Sequence, residues 1–269
     1  AGLFLTVPVI SAYGVAFFDD PVMVAGVNAG VYYAARWGRR PRASTAVMAC
    51  VALGVATAVK LPALFAVLPM LVAVMAFSDR GARGLLHRHL LWASPLALFL
   101  SLAWYVVLLW RAAHWPDVYL LLDLKPGEGK FADFTSLAVP ENWVLLSKRM
   151  TQEVTGYAGL LLAGLGIACL PRDRRALLPL AWLSGVGVYV FLVFRGHVAH
   201  DYYQMVFAAP FALLWACPLG MLAARQEGDA ARASNQRWVW IAGGLYALLA
   251  VVMIAEVHPY RHFLRTWTD

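Results

Sequence analysis

Charge is what this sequence has least of: Asp, Glu, Lys and Arg make up 14% of its 269 residues, about half the share of a soluble domain. With 62% hydrophobic residues and a mean hydropathy of +0.66, the chain lacks the polar surface needed to clothe one soluble core. Cysteine is also scarce. Cys50, Cys169 and Cys217 fall in or beside apolar runs without metal or redox spacing and read as small hydrophobes. No GxGxxG, GxxxxGK, HExxH or CxxC pattern occurs, so nucleotide-driven transport and conventional zinc hydrolysis have no motif behind them. Alternation of apolar and polar residues with period two is missing as well, which argues against an outer-membrane barrel. The chain begins Ala1-Gly2-Leu3, with neither an initiator Met nor a leader pattern, and reads as a piece of a longer protein.

What is abundant is long uncharged sequence. Runs at 3–18, 21–35, 43–59, 61–77, 90–110, 154–170, 176–194, 202–223 and 238–256 carry essentially no charge. They predict an all-α fold, a polytopic transmembrane bundle of about nine helices covering residues 1–257. The shorter runs need extension into their flanks, tilt or re-entry. Alternate loops then differ in basic residues. One set holds Arg36, Arg39, Arg40, Arg42, Arg80, Arg83, Arg88, Arg172, Arg174, Arg175, Arg225, Arg232 and Arg237 against four acids, and the two sides carry about +9 and −2. The arginine-rich side is expected in the cytoplasm. The net charge of +7 is thereby accounted for by topology, with no nucleic-acid partner implied.

This orientation gathers Asp19, Asp20, Lys60, the long loop 111–153, the segment 195–201 and the tail 258–269 on the outer side. Within the long loop, Lys148–Glu153 predicts an interfacial helix, with Trp143 at headgroup level. Residues 224–237 predict a flexible cytoplasmic linker. Trp37, Trp92, Trp110 and Trp238 sit near run ends, as interface anchors do. Gly26 and Gly30, four apart, suit a close helix contact.

Three outer clusters ask for more than insertion. In Phe17-Phe18-Asp19-Asp20-Pro21, one carboxylate caps a helix whose first turn tolerates Pro21. Asp20 is the more inward and is available to a hydroxyl, a cation or a basic side chain. Lys60, in Val59-Lys60-Leu61-Pro62, either snorkels to the interface or presents a point charge to a lipid phosphate. The stretch Arg195-Gly196-His197-Val198-Ala199-His200-Asp201-Tyr202-Tyr203-Gln204 is either an aromatic belt or a donor-rich contact for phosphate or sugar. Its His-x-x-His fragment with Asp201 is a weak metal pattern.

The succession of these motifs resembles the GT-C membrane glycosyltransferases, in particular dolichyl-phosphate mannosyltransferase-like and aminoarabinose-transferase-like proteins of glycosyltransferase family 39. The resemblance runs through Pro8 to Tyr13 into Phe18-Asp19-Asp20-Pro21, then Lys60-Leu61-Pro62, Ala103-Trp104-Tyr105, and His200-Asp201-Tyr202-Tyr203-Gln204 followed by Pro210. It implies an inverting transfer of a hexosyl or pentosyl group from a polyprenyl-phosphate donor to a lipid, glycan or protein acceptor outside a bacterial inner membrane. Neither a cofactor nor a metal is implied. The family's first outer loop, with its main catalytic acid, has no counterpart here, so this fragment alone is not expected to act. Asp20 then has a supporting role and Lys60 contacts phosphate. His200, Tyr202, Tyr203 and Gln204 line the donor site, with Arg195 and His197 as further phosphate contacts. The competing expectations are a polyprenyl-lipid or solute transporter or flippase, and a noncatalytic assembly module built on Gly26 and Gly30.

Overall fold

The computed structural model describes residues 19–114 and 134–224, together with the isolated positions Gly244, Leu248 and Val252. The expected runs 3–18 and 238–256, the linker 225–237, the tail and the first part of the long loop lie outside the described residues. Every regular element among the described residues is helical, so the fold is all-α.

Helix α1 spans Asp19–Arg39 and α2 spans Ala43–Val59. A 3-10 segment, Leu61–Ala66, then runs into α3, Val67–Phe77. After a 3-10 turn at Gly81–Leu86 comes the longest helix, α4, Arg88–His114. The second half opens with α5, Phe134–Ala138, and α6, Pro140–Arg149, which continues as a π-type turn over Met150–Thr155 into α7, Gly156–Ala168. Helices α8, Leu177–Leu192, and α9, Phe194–Ala199, follow. A 3-10 segment, Asp201–Phe207, finally leads into α10, Ala208–Ala224.

Small residues let these helices approach. A Cβ at Gly26 would stand 2.9 Å from Ala56 Cβ, and one at Gly30 would stand 3.1 Å from Met70 Sδ, so the two glycines seat α1 against α2 and α3. A Cβ at Gly54 would lie 2.9 Å from Leu100 Cβ, and the hydroxyls of Thr57 and Ser101 bond to each other across the α2–α4 contact. Helix α8 joins the two halves, packing on α3 and on α10, while α7 packs on α10. There the Trp215 indole donates to Gly159 O at 2.9 Å.

The large apolar side chains of α4 point outward. Trp92 is 84% exposed, and Leu98, Phe99, Leu102, Trp104, Val106 and Leu109 are exposed along the same helix. Two described helices, Arg88–Arg111 and Arg174–Leu192, are long and apolar enough to cross a membrane; Ala43–Val59, Leu61–Phe77, Gly156–Ala168 and Tyr203–Pro218 are shorter apolar helices.

Three expectations change. The second part of loop 111–153 is helical from Phe134 onward. The helix expected at Lys148–Glu153 begins instead at Pro140, whose missing N–H and fixed φ suit a first helical turn. Within this helix the Trp143 indole donates to Leu137 O at 2.8 Å and its ring lies 4.7 Å from Phe194. Trp37 is 1% exposed, edge-on to His87, and so packs inside the bundle instead of anchoring at its rim.

Candidate functional site

Two breaks between helices build the site. Lys60 stops α2 in an extended conformation (φ −143°, ψ 114°) before a 3-10 segment, and His200 stops α9 likewise (φ −128°, ψ 127°) before another. The first break follows from Pro62, which lacks the N–H needed to carry α2 onward and whose fixed φ suits the first turn of the segment that follows. Both breaks turn a polar side chain inward at the same end of the bundle, where α1 begins.

Lys60 Nζ lies 2.6 Å from Asp20 Oδ2, a charge-assisted hydrogen bond joining residues forty apart in sequence. The same ammonium sits 4.6 Å from the centroid of the Tyr203 ring, within cation–π range. Asp20 is 1% exposed and Lys60 15%. The carboxylate is therefore enclosed, and the lysine is the partner that still reaches the surface. Asp20 lies in the first turn of α1, where its charge also meets the positive end of the helix dipole.

An aromatic stack carries the site inward. Tyr203 stands 5.7 Å from His200 and 6.4 Å from Tyr189, both nearly parallel, and Tyr189 stacks on Phe65 at 5.4 Å. His197 meets Tyr203 and Tyr189 edge-on at 5.4 and 4.9 Å. Its ring is wholly buried, with Nδ1 3.2 Å from Gln204 Oε1. Gln204 Nε2 in turn donates to His197 O at 3.0 Å. The acceptor Oε1 requires the proton on Nδ1, so Nε2 carries the lone pair. That atom has no hydrogen-bond partner among the described residues. Burial, with the charges of Arg149 and Lys60 adding to it against the Gln204 bond, holds His197 down to about 4, so the imidazole is neutral at pH 7.

The expected residues thus divide. Asp20, Lys60, His197, His200, Tyr203 and Gln204 come together. Tyr202 has its backbone in the 3-10 segment, but its side chain lies outside the described residues, as does that of Asp201. Arg195 is exposed on α9. His197 is too deeply enclosed and too weakly basic to meet a headgroup as a cation, so its expected phosphate contact becomes support for Tyr203. Among the described residues no three His, Cys, Asp or Glu side chains group as metal ligands.

Sequence reasoning missed Arg149 and Tyr189. Arg149 ends α6 and donates to His197 O at 2.9 Å, which brings a second cation to the cluster. Its signal was the polar run Ser147–Glu153, read only as interfacial. Tyr189 sits in an uninterrupted apolar run with nothing to mark it. Beside the cluster, an apolar groove of about 590 Å³ opens between α2 and α4, lined by Val55, Ala58, Val59, Leu100, Ala103, Trp104 and Val107. Val59 immediately precedes Lys60.

These features define an all-α bundle with a buried lysine–carboxylate pair on an aromatic stack at one end. No protein-family model, curated protein or solved structure matches the chain.

Proposed function

We propose that the chain is the membrane-embedded part of a bacterial inner-membrane glycosyltransferase that moves a sugar from a polyprenyl-phosphate donor to an extracytoplasmic lipid, glycan or protein acceptor, with inversion. The observation that carries this reading is the junction of Asp20, Lys60 and Tyr203 at the end of the bundle opposite the arginines. Helix α1 links the two ends. Its 21 residues rise about 30 Å, the thickness of a bilayer's hydrocarbon core. The outward apolar face of α4 suits lipid better than water.

The chemistry asks for little more. An acceptor hydroxyl or amine attacks the anomeric carbon, the bond from that carbon to the phosphate oxygen breaks, and the phosphate leaves with the electron pair. The acceptor's proton passes to a base. Charge grows on the leaving phosphate, where Lys60 and Arg149 supply two cations against the single carboxylate of Asp20. Asp20 holds the ammonium in place, and the Tyr203 ring backs it. The prenyl tail would lie in the apolar groove next to Lys60 while its head reaches the bundle end.

The test is a donor assay on the complete gene product with a panel of polyprenyl-phosphate sugars. Lys60→Arg, which retains the pair with Asp20, should reduce turnover by about tenfold, and Lys60→Ala by more than a hundredfold. Membrane insertion should be unchanged in both. Full turnover by a correctly inserted Lys60→Ala protein removes the reading; lipid translocation without product formation would favour a flippase.

A further inference from the structure

The opposite end of the bundle holds a second built hollow, independent of the transferase reading. It has a volume of about 490 Å³ and is lined by Arg39, Ala76, Phe77, Ser78, Asp79, Asp173, Arg174 and Arg175. Its cations come from two distant parts of the chain. Arg39 ends α1, and its guanidinium carbon lies 4.6 Å from the Phe77 ring centroid. Arg175, just before α8, stands 5.9 Å from the same centroid. Arg174 lies over the turn at Gly81, where a Cβ would come within 2.7 Å of its Nη1.

Three guanidinium groups thus share one hollow with two carboxylates. Asp173 is already divided, accepting from the Arg175 backbone N–H at 2.8 Å while its other oxygen lies 3.8 Å from Arg175 Nε. A guanidinium held on an aromatic face is attracted by the ring quadrupole yet retains N–H donors for an oxyanion. Asp79 and Asp173 offset two of the three positive charges, which leaves an excess of one for an incoming anion.

We infer that this hollow binds a phosphate-ester anion between Arg39, Arg174 and Arg175. The headgroup of an anionic phospholipid is the source that its setting favours. Exposed Leu177, Leu180 and Leu86 lie close in sequence to the arginines and the turn, offering apolar surface to acyl chains. Basic pockets between helices at a cytoplasmic face recognise such headgroups.

The experiment measures binding to the full chain in neutral detergent, read from its thermal midpoint across a concentration series. The probes are dioctanoyl phosphatidylglycerol, dioctanoyl phosphatidylcholine and inorganic phosphate. Phosphatidylglycerol should bind and phosphatidylcholine should not. Arg39→Gln/Arg175→Gln should weaken phosphatidylglycerol at least tenfold. The control Arg83→Gln/Arg172→Gln removes two exposed arginines outside the hollow and should change binding less than twofold. Inorganic phosphate binding as tightly as the lipid, and lost in the first variant, would assign the same site to a soluble phosphate. An equal loss in both double variants, or no binding of either anion by the unaltered chain, overturns the proposal.

Discussion

The two ends of the bundle each contain an ion pair, and the pairs are unlike. Lys60 and Asp20 meet at 2.6 Å with side chains 15% and 1% exposed, whereas Arg175 and Asp173 stand 3.8 Å apart at 65% and 55%. Coulomb attraction between exposed charges is diluted by water and salt. Between enclosed charges it is strong, but it must first offset desolvation of both groups. The Lys60–Asp20 end is therefore committed to one arrangement, while the arginine end can exchange partners. A fixed pair suits positioning of a reacting group; exposed arginines suit a ligand that comes and goes.

The sharpest way to break this comparison is to remove one member of the buried pair. Lys60→Met leaves a carboxylate enclosed without its cation and should cost about 3–5 kcal/mol of unfolding free energy. Asp20→Asn should cost less, because Lys60 can extend toward the surface it already touches. The double variant Asp20→Asn/Lys60→Met should regain most of the loss. Denaturant titration of the four proteins in one detergent gives the cycle, and a double variant no more stable than Lys60→Met would show that the pair is not the source of the cost.

His197 supplies a pH-dependent contrast of similar size. Its folded value is pushed down to about 4 from an ordinary 6.5, so the unfolded chain binds the proton more readily. Its contribution is complete above about pH 6.5, falls as pH drops, and is exhausted near pH 4. A shift of this extent corresponds to about 3 kcal/mol. His197→Gln should flatten the stability profile between those limits, measured as unfolding free energy against pH, while leaving the arginine end unchanged. A profile as steep as that of the unaltered chain would place the proton uptake elsewhere.

The sequence showed these two ends unequally, for a physical reason. Arginines facing water interrupt apolar runs, so the whole arginine end could be located from Arg36 to Arg175 by alternation alone. Helix limits were legible wherever a break residue coincided with the loss of apolarity, as at Ala43–Val59, which the structure reproduces. Lys60 and Asp20 stood out because charge is rare in the apolar runs around them, but their meeting is a tertiary fact. Tyr189 was invisible because a tyrosine in an apolar run looks like packing. Arg149 was overlooked because its helix starts at Pro140, seven residues before the polar run Ser147–Glu153 that had suggested one. Trp37 misled for the opposite reason: a tryptophan near a run end looks the same whether it faces lipid or His87.

Glycine substitutions sharpen the comparison at a smaller scale. A Cβ at Gly196 would stand 3.0 Å from Val193 Cγ1 and 3.1 Å from Tyr203 Cε1, in a packed region with little room to yield. Gly196→Ala should cost about 1–3 kcal/mol by overpacking and displace the ring that backs Lys60. At the other end, Gly81 has φ +54° and faces the flexible tip of Arg174. Gly81→Ala should cost about 1–2 kcal/mol, chiefly from the left-handed backbone. Thermal unfolding should rank the two costs, and donor turnover by the complete gene product should fall only for Gly196→Ala.

The smallest effect concerns the exposed pair. A cycle of Arg175→Ala, Asp173→Ala and the double variant should give a coupling of about 0.2–1 kcal/mol, vanishing at 1 M salt. Asp173→Ala alone carries an extra loss, because the carboxylate also accepts the Arg175 backbone N–H and so caps the short 3-10 turn Arg174–Ala176. Only the interaction energy of the cycle isolates the ion pair from that cap. A coupling as large as that of Lys60 and Asp20 would mean that the arginine end is equally fixed. The division between a committed end and an exchangeable one would then be lost.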